Sequence, residues 1–398
     1  PVAWDSDWER ISRGINLRRS SPSAPIRLQH PNLTRPVPEM CAESMMAAPA
    51  AAGRPPLVVV GHRGKGMNAL ASPDERLREV KENTVRSFND AARVAGVGYV
   101  EFDVQVTKDG CPIVFHDNFI YTEQDGKISG KRVTDLPLDE FLSYGPQKDQ
   151  DKVGRPLLRK LKDGRTLMWD VRSDEPLCTL REAFEGVDAR VGFNVELKFD
   201  DDLDYQEEEL AGVLQAILKV VFEHAKDRPV IFSSFQPDAA QLMRKLQDQY
   251  PVYFLTVGGT QIHADARRNS LEEAVRLCRA GGLQGIVSEA RAVFRHPSAV
   301  ARVKESDLSL LTYGQLNNVP EAVYMQHLMG VDGVIVDLVQ EIAEAVSEFA
   351  AVVAPEPSPE EGQAGRLGPD RAAPAKKTPN FSQREISFLL RLIPELVQ

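Results

Sequence analysis

Short apolar runs alternate with amphipathic stretches along the middle of the chain. The runs fall at Val58–Val60, Tyr99–Val104, Pro112–Phe115, Gly192–Leu197, Val230–Phe232, Val252–Leu255, Gly285–Val287, Leu308–Leu311 and Gly333–Val336. Bounded by turn residues and rich in Val, Ile, Leu and Phe, they read as buried strands. Between them apolar residues recur at helical spacing. Val85, Phe88, Ala92 and Ala95 form one such face, and Leu210, Leu214, Leu218 and Val221 form another. Further helices are predicted over about 238–249, 271–280, 298–305 and 321–329. Strands alternating with helices predict a parallel sheet with helical crossovers. So many units predict an α/β fold closed into a TIM-type (β/α)8 barrel. Nine runs do not fit eight places, and Pro112–Phe115 is the surplus one. It follows Tyr99–Val104 after Thr107-Lys108-Asp109-Gly110, and Asp-Gly signals a tight turn. A loop that short demands antiparallel pairing. The hairpin folds His116 back toward the level of Glu101 and Asp103.

The rhythm fails in three places. Over about 118–190 Gly, Lys, Asp and Pro are frequent, and Trp169 and Phe184 stand as isolated apolar anchors. This stretch reads as a small capping insertion at the mouth of a barrel spanning 56–350. Residues 1–55 lack sustained periodicity and read as a flexible leader. Arg18-Arg19-Ser20-Ser21-Pro22-Ser23 suits a plastid transit peptide, whereas Asp5, Asp7 and Glu9 count against one. A start at Met45 or Met46, or a plain disordered extension, fits as well, so both a plastid and a cytoplasmic location stay open. Residues 351–380 are poor in apolar side chains and read as a disordered linker. An amphipathic helix is predicted over 381–398. Ser382-Gln383-Arg384-Glu385 is its capping box and Phe381 with Ile386 its staple. Its apolar face is short and interrupted by Pro394, which favours docking on the barrel over contact with a partner or a membrane surface.

Composition narrows the function classes. The 398 residues are 42% hydrophobic, enough for a sizeable core, and carry a net charge of −10. An acidic chain is a poor nucleic-acid binder and a poor match to anionic membranes. No apolar run approaches the roughly 20 residues that span a bilayer. Cys41, Cys111, Cys178 and Cys278 are scattered without zinc-site spacing, which suits a reducing compartment.

The candidate chemistry is concentrated where strands end. Gly61-His62-Arg63-Gly64 follows one apolar run, Glu101-Phe102-Asp103 lies within the next, and His116-Asp117 follows the hairpin strand. A lone His is usually structural, but a His after a short apolar run occurs twice here. Two histidines can share a general-acid and general-base task. Glu101 and Asp103, one residue apart on a strand, point the same way and could grip one hard cation. Arg63 could hold a phosphate through two parallel hydrogen bonds. Together they make a plausible set for breaking a phosphate ester.

At these residues the sequence resembles the glycerophosphodiester phosphodiesterases, a branch of the phosphatidylinositol-phospholipase-C-like barrels. The matching pieces are Gly61-His62-Arg63-Gly64, Glu82-Asn83-Thr84, Glu101-Phe102-Asp103-Val104-Gln105, Thr107-Lys108-Asp109-Gly110, His116-Asp117 and Glu196-Leu197-Lys198. Phe232-Ser233-Ser234-Phe235-Gln236-Pro237-Asp238, Tyr313-Gly314-Gln315-Leu316-Asn317-Asn318, Gly333-Val334-Ile335-Val336-Asp337 and Phe381-Ser382-Gln383-Arg384-Glu385 resemble the plant members most. The likeness runs from about Val58 to Ser347.

The resemblance implies hydrolysis of a small glycerophosphodiester, such as glycerophosphocholine, to sn-glycerol 3-phosphate and an alcohol. It also implies His62 as general base and His116 as general acid, and a capping insertion that shapes the pocket. A role in glycerophospholipid breakdown and phosphate recycling fits the plant likeness. Glu196 ends an apolar strand and completes a metal set with Glu101 and Asp103. Three carboxylates without a soft ligand select one Mg²⁺ or Ca²⁺. Lys198, on the same face as Glu196, would join Arg63 on the phosphate. Glu82 either orients Arg63 or stabilises a helix N-terminus, and Asp117 either orients His116 or begins the next turn. Ser233, Phe235 and Tyr313 sit at strand ends, where they line an alcohol pocket or simply pack. A lysophospholipase-D-like enzyme and a catalytically inactive binding barrel are the alternatives. The first would need an apolar channel or an anchor. The intact histidines and carboxylates count against the second.

Overall fold

A computed structural model describes residues 57–149 and 151–353. The chain enters at β1 (Val58–Gly61), passes through α1 (Val85–Ala92) into β2 (Val97–Val106), and turns back as β3 (Pro112–Val114). An excursion follows: β4 (Phe119–Gln124), β5 (Lys127–Arg132), α2 (Leu138–Leu142), β6 (Leu158–Lys160), β7 (Thr166–Met168), β8 (Cys178–Thr179) and α3 (Leu180–Gly186). Regular alternation then resumes with β9 (Gly192–Leu197), α4 (Glu207–His224), β10 (Val230–Ser234), α5 (Pro237–Leu246), β11 (Val252–Thr256), α6 (Leu271–Gly281) and β12 (Gly285–Glu289). After α7 (Ala290–Arg295) and α8 (Ser298–Glu305) come β13 (Ser309–Tyr313), α9 (Pro320–Met329), β14 (Gly333–Val336) and α10 (Val339–Val353).

Eight parallel strands close the barrel in the order β1, β2, β9, β10, β11, β12, β13, β14, with β14 paired back to β1. The period of two along each strand sorts side chains between two cores. Val100, Phe102, Val104, Phe193, Val195 and Leu197 point outward into the layer beneath the helices. Val60, Ile231, Tyr253, Leu255, Val287, Leu311 and Ile335 point inward and fill the barrel. Phe102 is fully buried between Phe88 of α1 and Phe193 of β9, with ring centroids 5.0 Å and 4.9 Å away. Truncating it to Ala is expected to cost roughly 3–5 kcal/mol.

The surplus run is the antiparallel partner anticipated. Val104 faces Val114, Gln105 faces Ile113 and Val106 faces Pro112. Its turn is closed by Thr107, whose N–H donates to Cys111 O (3.0 Å), and by Gly110 at φ +82°.

Beyond it the chain is not irregular. β5-β4-β6-β7 form an ordered antiparallel sheet, turned at Asp125 and Gly126 with φ of +52° and +71°. Two positive φ values make this a tight hairpin turn that matches strand twist. The sheet escapes a reading by apolar alternation because β5, Lys-Ile-Ser-Gly-Lys-Arg, is almost wholly exposed. A separate small core with Phe115, Phe141 and Trp169 at its centre holds this part of the chain together. α10 runs to Val353, past the point where the linker was expected to begin. The leader over 1–55, the rest of the stretch to 380 and the amphipathic helix over 381–398 lie outside the described residues. Among the described residues no helix is long and apolar enough to cross a membrane. Cys111, Cys178 and Cys278 are free thiols.

Candidate active site

The site forms where β1, β2 and β9 end. Inward positions on β2 are Glu101 and Asp103, and register places them beside Asn194 and Glu196 of β9. One carboxylate oxygen each from Glu101, Asp103 and Glu196 lies within 4.8 Å of the others. Glu101 Oε1 and Asp103 Oδ1 are buried and accept no hydrogen bond. Burying acceptor oxygens without a donor is costly, and a hard divalent cation is the partner that three clustered carboxylates suit. Burial, with Asp103 and Glu196 adding repulsion, pushes Glu101 up to about 8. Asp103 behaves oppositely. Burial acts against its charge, but His116, Arg63 and Lys198 together hold it well below the ordinary carboxylate range.

The loop after β1 is built by backbone necessity. Gly64 has φ +92°, and a Cβ there would meet Ser87 Oγ at 2.5 Å. Arg63 adopts φ +49° and Asn83 φ +57°, a region that costs a non-glycine residue roughly 1–3 kcal/mol. Specific bonds hold both. The Arg63 N–H donates to Glu101 Oε2 (2.9 Å), and its carbonyl accepts from the Asn83 N–H (3.0 Å) and Ser87 Oγ (3.1 Å). Asn83 Nδ2 donates to Asp103 Oδ2 (2.9 Å). Arg63 Nη1 donates to Glu82 Oε1 (2.7 Å), and its Nε lies 3.4 Å from Asp103 Oδ2. Glu82 thus pairs with Arg63, while the cap of α1 is Thr84, whose Oγ1 accepts from the Ser87 N–H. Lys198 Nζ lies 3.0 Å from Glu196 Oε1 and 3.7 Å from Asp103 Oδ1.

Each histidine rests on a carboxylate through Nδ1. His62 Nδ1–H donates to Asp337 Oδ1 (2.7 Å), beyond the end of β14, and His116 Nδ1–H donates to Asp117 Oδ1 (2.7 Å). Such a bond fixes the tautomer and leaves Nε2 for chemistry. Asp337 also accepts from the Met67 N–H and Asn318 Nδ2. Despite burial, His62 and these donors hold it down at about 2. The surroundings of the two rings differ. Burial works against charge on His62, but Asp337 outweighs it and raises the ring above its ordinary value. Burial and the Arg63 and Lys198 cations drive His116 down to about 4.

The structure thus brings His62, Arg63, Glu82, Glu101, Asp103, His116, Asp117, Glu196 and Lys198 into one cluster. A cleft of about 490 Å³ opens from it, walled by His116, Asp117, Phe119, Tyr121, Lys160, Lys198 and Phe235 among others. Ser233 and Tyr313 do not line that cleft. Ser233 is an inward residue of β10, buried in the barrel with its hydroxyl donating to Asn194 Oδ1 (2.9 Å). Tyr313 stands edge-on to Phe235, with ring centroids 6.0 Å apart, and its hydroxyl donates to Thr256 O (3.3 Å). Three residues without a predicted role stand in the cluster. Asn83 and Asp337 lie inside motifs already singled out, so a carboxylate ending a buried strand was a usable signal for Asp337. Arg159 lies in the insertion, where no local pattern marks it.

A parallel barrel with two carboxylate-backed imidazoles, a carboxylate trio and two cations at its strand ends has the makings of a phosphoester hydrolase. Comparison narrows that class to a family. The model of the glycerophosphoryl diester phosphodiesterase family matches residues 62–341. The Arabidopsis thaliana glycerophosphodiester phosphodiesterase GDPD2 is 56% identical over 353 residues, covering 89% of this chain and 93% of that one. The chloroplastic Arabidopsis thaliana GDPD1 is 56% identical over 342 residues, covering 86% and 90%. An Oleispira antarctica phosphodiesterase, solved in complex with the product sn-glycerol-3-phosphate, shares the fold at a TM-score of 0.51 and 21% identity. The match covers 73% of this chain and 97% of that one. The chain belongs to the glycerophosphoryl diester phosphodiesterase family and is an enzyme of that kind.

Proposed function

We propose that this protein is a metal-dependent glycerophosphodiester phosphodiesterase, with two-histidine acid/base catalysis, that releases sn-glycerol 3-phosphate and an alcohol from substrates such as glycerophosphocholine. The observation that carries the mechanism is the asymmetric placement of the histidines. His116 borders the open cleft, where the departing headgroup would sit. His62 is not part of that wall and lies 4.0 Å from Glu101, on the carboxylate side. In this reading His62 Nε2 takes a proton from the attacking oxygen, a water or a neighbouring glycerol hydroxyl. In the second case a cyclic phosphate forms, and a water then attacks phosphorus and breaks the ring P–O bond to give glycerol 3-phosphate. His116 Nε2 delivers a proton to the alcohol oxygen as its bond to phosphorus breaks. Glu101, Asp103 and Glu196 would hold one divalent cation, Mg²⁺ or Ca²⁺, and the orphaned oxygens of Glu101 and Asp103 fit that purpose. When bound, the cation would polarise a non-bridging phosphoryl oxygen and offset the pull of Glu101 on His62.

Arg63, held by Glu82, and Lys198 would bind the phosphate. Burial depresses His116 first, and those two cations depress it further. A bound phosphodiester anion would offset them and let His116 regain the proton an acid needs. Asp337 and Asp117 would orient the two rings. Phe119, Tyr121 and Phe235 give the cleft an aromatic wall suited to the body of a headgroup. A plastid or cytoplasmic setting and a part in phosphate recycling from glycerophospholipids complete the reading.

The test is release of glycerol 3-phosphate from glycerophosphocholine by wild type and His62→Ala, with EDTA and with Mg²⁺ or Ca²⁺ restored. Metal-dependent release that falls by roughly two or more decades in the variant is expected. No release from any glycerophosphodiester with either metal would overturn the assignment.

A further inference from the structure

The insertion sends one side chain back into the catalytic cluster. Arg159, on β6, is 91% screened from solvent along its side chain and faces two carboxylates at once. Its Nη1 and Nη2 donate to Glu82 Oε2 (3.0 Å) and Oε1 (2.9 Å). Its Nε and Nη2 donate to Asp117 Oδ2 (3.0 Å) and Oδ1 (3.0 Å). The remaining reach of Nη1 goes to Asn68 O (3.2 Å). The guanidinium plane lies over the Trp169 ring, 4.3 Å from its centroid, and Trp169 Nε1 donates to Asn68 Oδ1 (3.0 Å). The planar fork is therefore held on its edges and on one face. Each carboxylate it grips is already in use. Glu82 receives Arg63 Nη1, and Asp117 receives His116 Nδ1.

We propose that Arg159 is a positioning residue for the phosphodiester reaction, setting Arg63 through Glu82 and His116 through Asp117. The inference rests on the function proposed above and extends it: the insertion carries part of the alignment of the site. A guanidinium can hold two carboxylates in one plane, each through two parallel N–H bonds, whereas an ammonium is a compact point charge that cannot form two such bidentate pairs. Removing the fork leaves buried Glu82 with Arg63 Nη1 and the Asn68 N–H, and half-buried Asp117 with His116. The competing view is that Arg159 only fastens the insertion to the barrel. In that case any variant that stays folded keeps its catalysis.

The experiment compares wild type, Arg159→Lys and Arg159→Met with glycerophosphocholine at saturating metal. It reads kcat and KM separately, and the melting temperature of each protein. Assays are run well below each variant's own melting point. In Arg159→Lys, kcat is expected to fall at least thirtyfold with KM changed by less than about threefold, and Lys fails to rescue relative to Met. An Arg159→Lys protein that is folded and within about threefold of wild-type kcat overturns the proposal while leaving the enzyme assignment intact. An inactive wild type overturns both.

Should neither Arg159 variant fold, the cycle of Glu82→Gln and Asp117→Asn decides. The two carboxylates meet through Arg159, so coupling through it makes the double variant depart from the product of the single effects by fivefold or more. Effects that multiply within about twofold overturn the proposal.

Discussion

The two histidines share a residue type, a carboxylate on Nδ1 and a place at a barrel strand end, yet they occupy opposite electrostatic settings. His62 is backed by Asp337, 275 residues away in sequence and held by two further donors. Burial lowers it, but Asp337, with Glu101 of the carboxylate trio 4.0 Å away, raises it above its ordinary value. His116 is backed by its own neighbour, faces Arg63 and Lys198, and is lowered to about 4. A symmetric pair of residues thus becomes an asymmetric pair of proton carriers through what each ring faces. Both settings are incomplete without ligands: the first calls for positive charge and the second for negative charge. In the proposed reading a divalent cation and a phosphodiester would supply them.

The largest expected effect breaks the pair itself. His62→Ala and His116→Ala should each lower kcat/KM by roughly 10²–10⁴-fold, measured as glycerol 3-phosphate release. The double variant should lose much less than the product of the two, because both act in one proton-transfer event. Replacing a carboxylate beneath a ring should cost less. Asp337→Asn removes a charge-assisted hydrogen bond worth roughly 1.5–3 kcal/mol, so kcat should drop roughly tenfold to a hundredfold with KM little changed. Equal kcat in Asp337→Asn and wild type would show that His62 needs no orienting partner.

Stability sharpens the same contrast. Asp337 is depressed to about 2 in the folded protein against about 3.9 unfolded. Its contribution is therefore full above about pH 4 and is lost as pH falls through about 2. Denaturation curves from pH 6 to pH 2 should show an acid-labile portion of roughly 2 kcal/mol that is missing in Asp337→Asn. The cation side offers the gentlest handle. Mg²⁺ or Ca²⁺ at a hundredfold excess over its Kd should stabilise the protein by about 2.7 kcal/mol, and Glu101→Gln should abolish most of that gain. A thermal shift that survives Glu101→Gln would place the cation elsewhere.

Much of this arrangement was legible in the sequence because it obeys local rules. Period-two strands fixed which face of β2 carries Glu101 and Asp103. The Asp-Gly turn explained the antiparallel β3 and with it the return of His116. The failures have separate physical causes. β5 exposes nearly every side chain, so alternation cannot reveal the insertion sheet, although its own Asp125-Gly126 turn was the same signal read correctly at Asp109-Gly110. Ser233 looked like a mouth residue because it is near a strand end, but its inward direction buries it against Asn194. Arg159 shows no pattern at all, since its meaning comes from partners 42 and 77 residues away in the chain.

The most direct test of the two-histidine asymmetry changes the leaving group rather than the protein alone. Hydrolysis of glycerophosphocholine is compared with that of a glycerophosphodiester bearing a p-nitrophenol leaving group, for wild type, His62→Ala and His116→Ala. An alcohol that departs easily needs no proton, so the deficit of His116→Ala should shrink by at least a decade on the activated substrate. The deficit of His62→Ala should persist on both. Rescue of His62→Ala instead of His116→Ala, or of neither, would contradict the assignment of base and acid to the two rings.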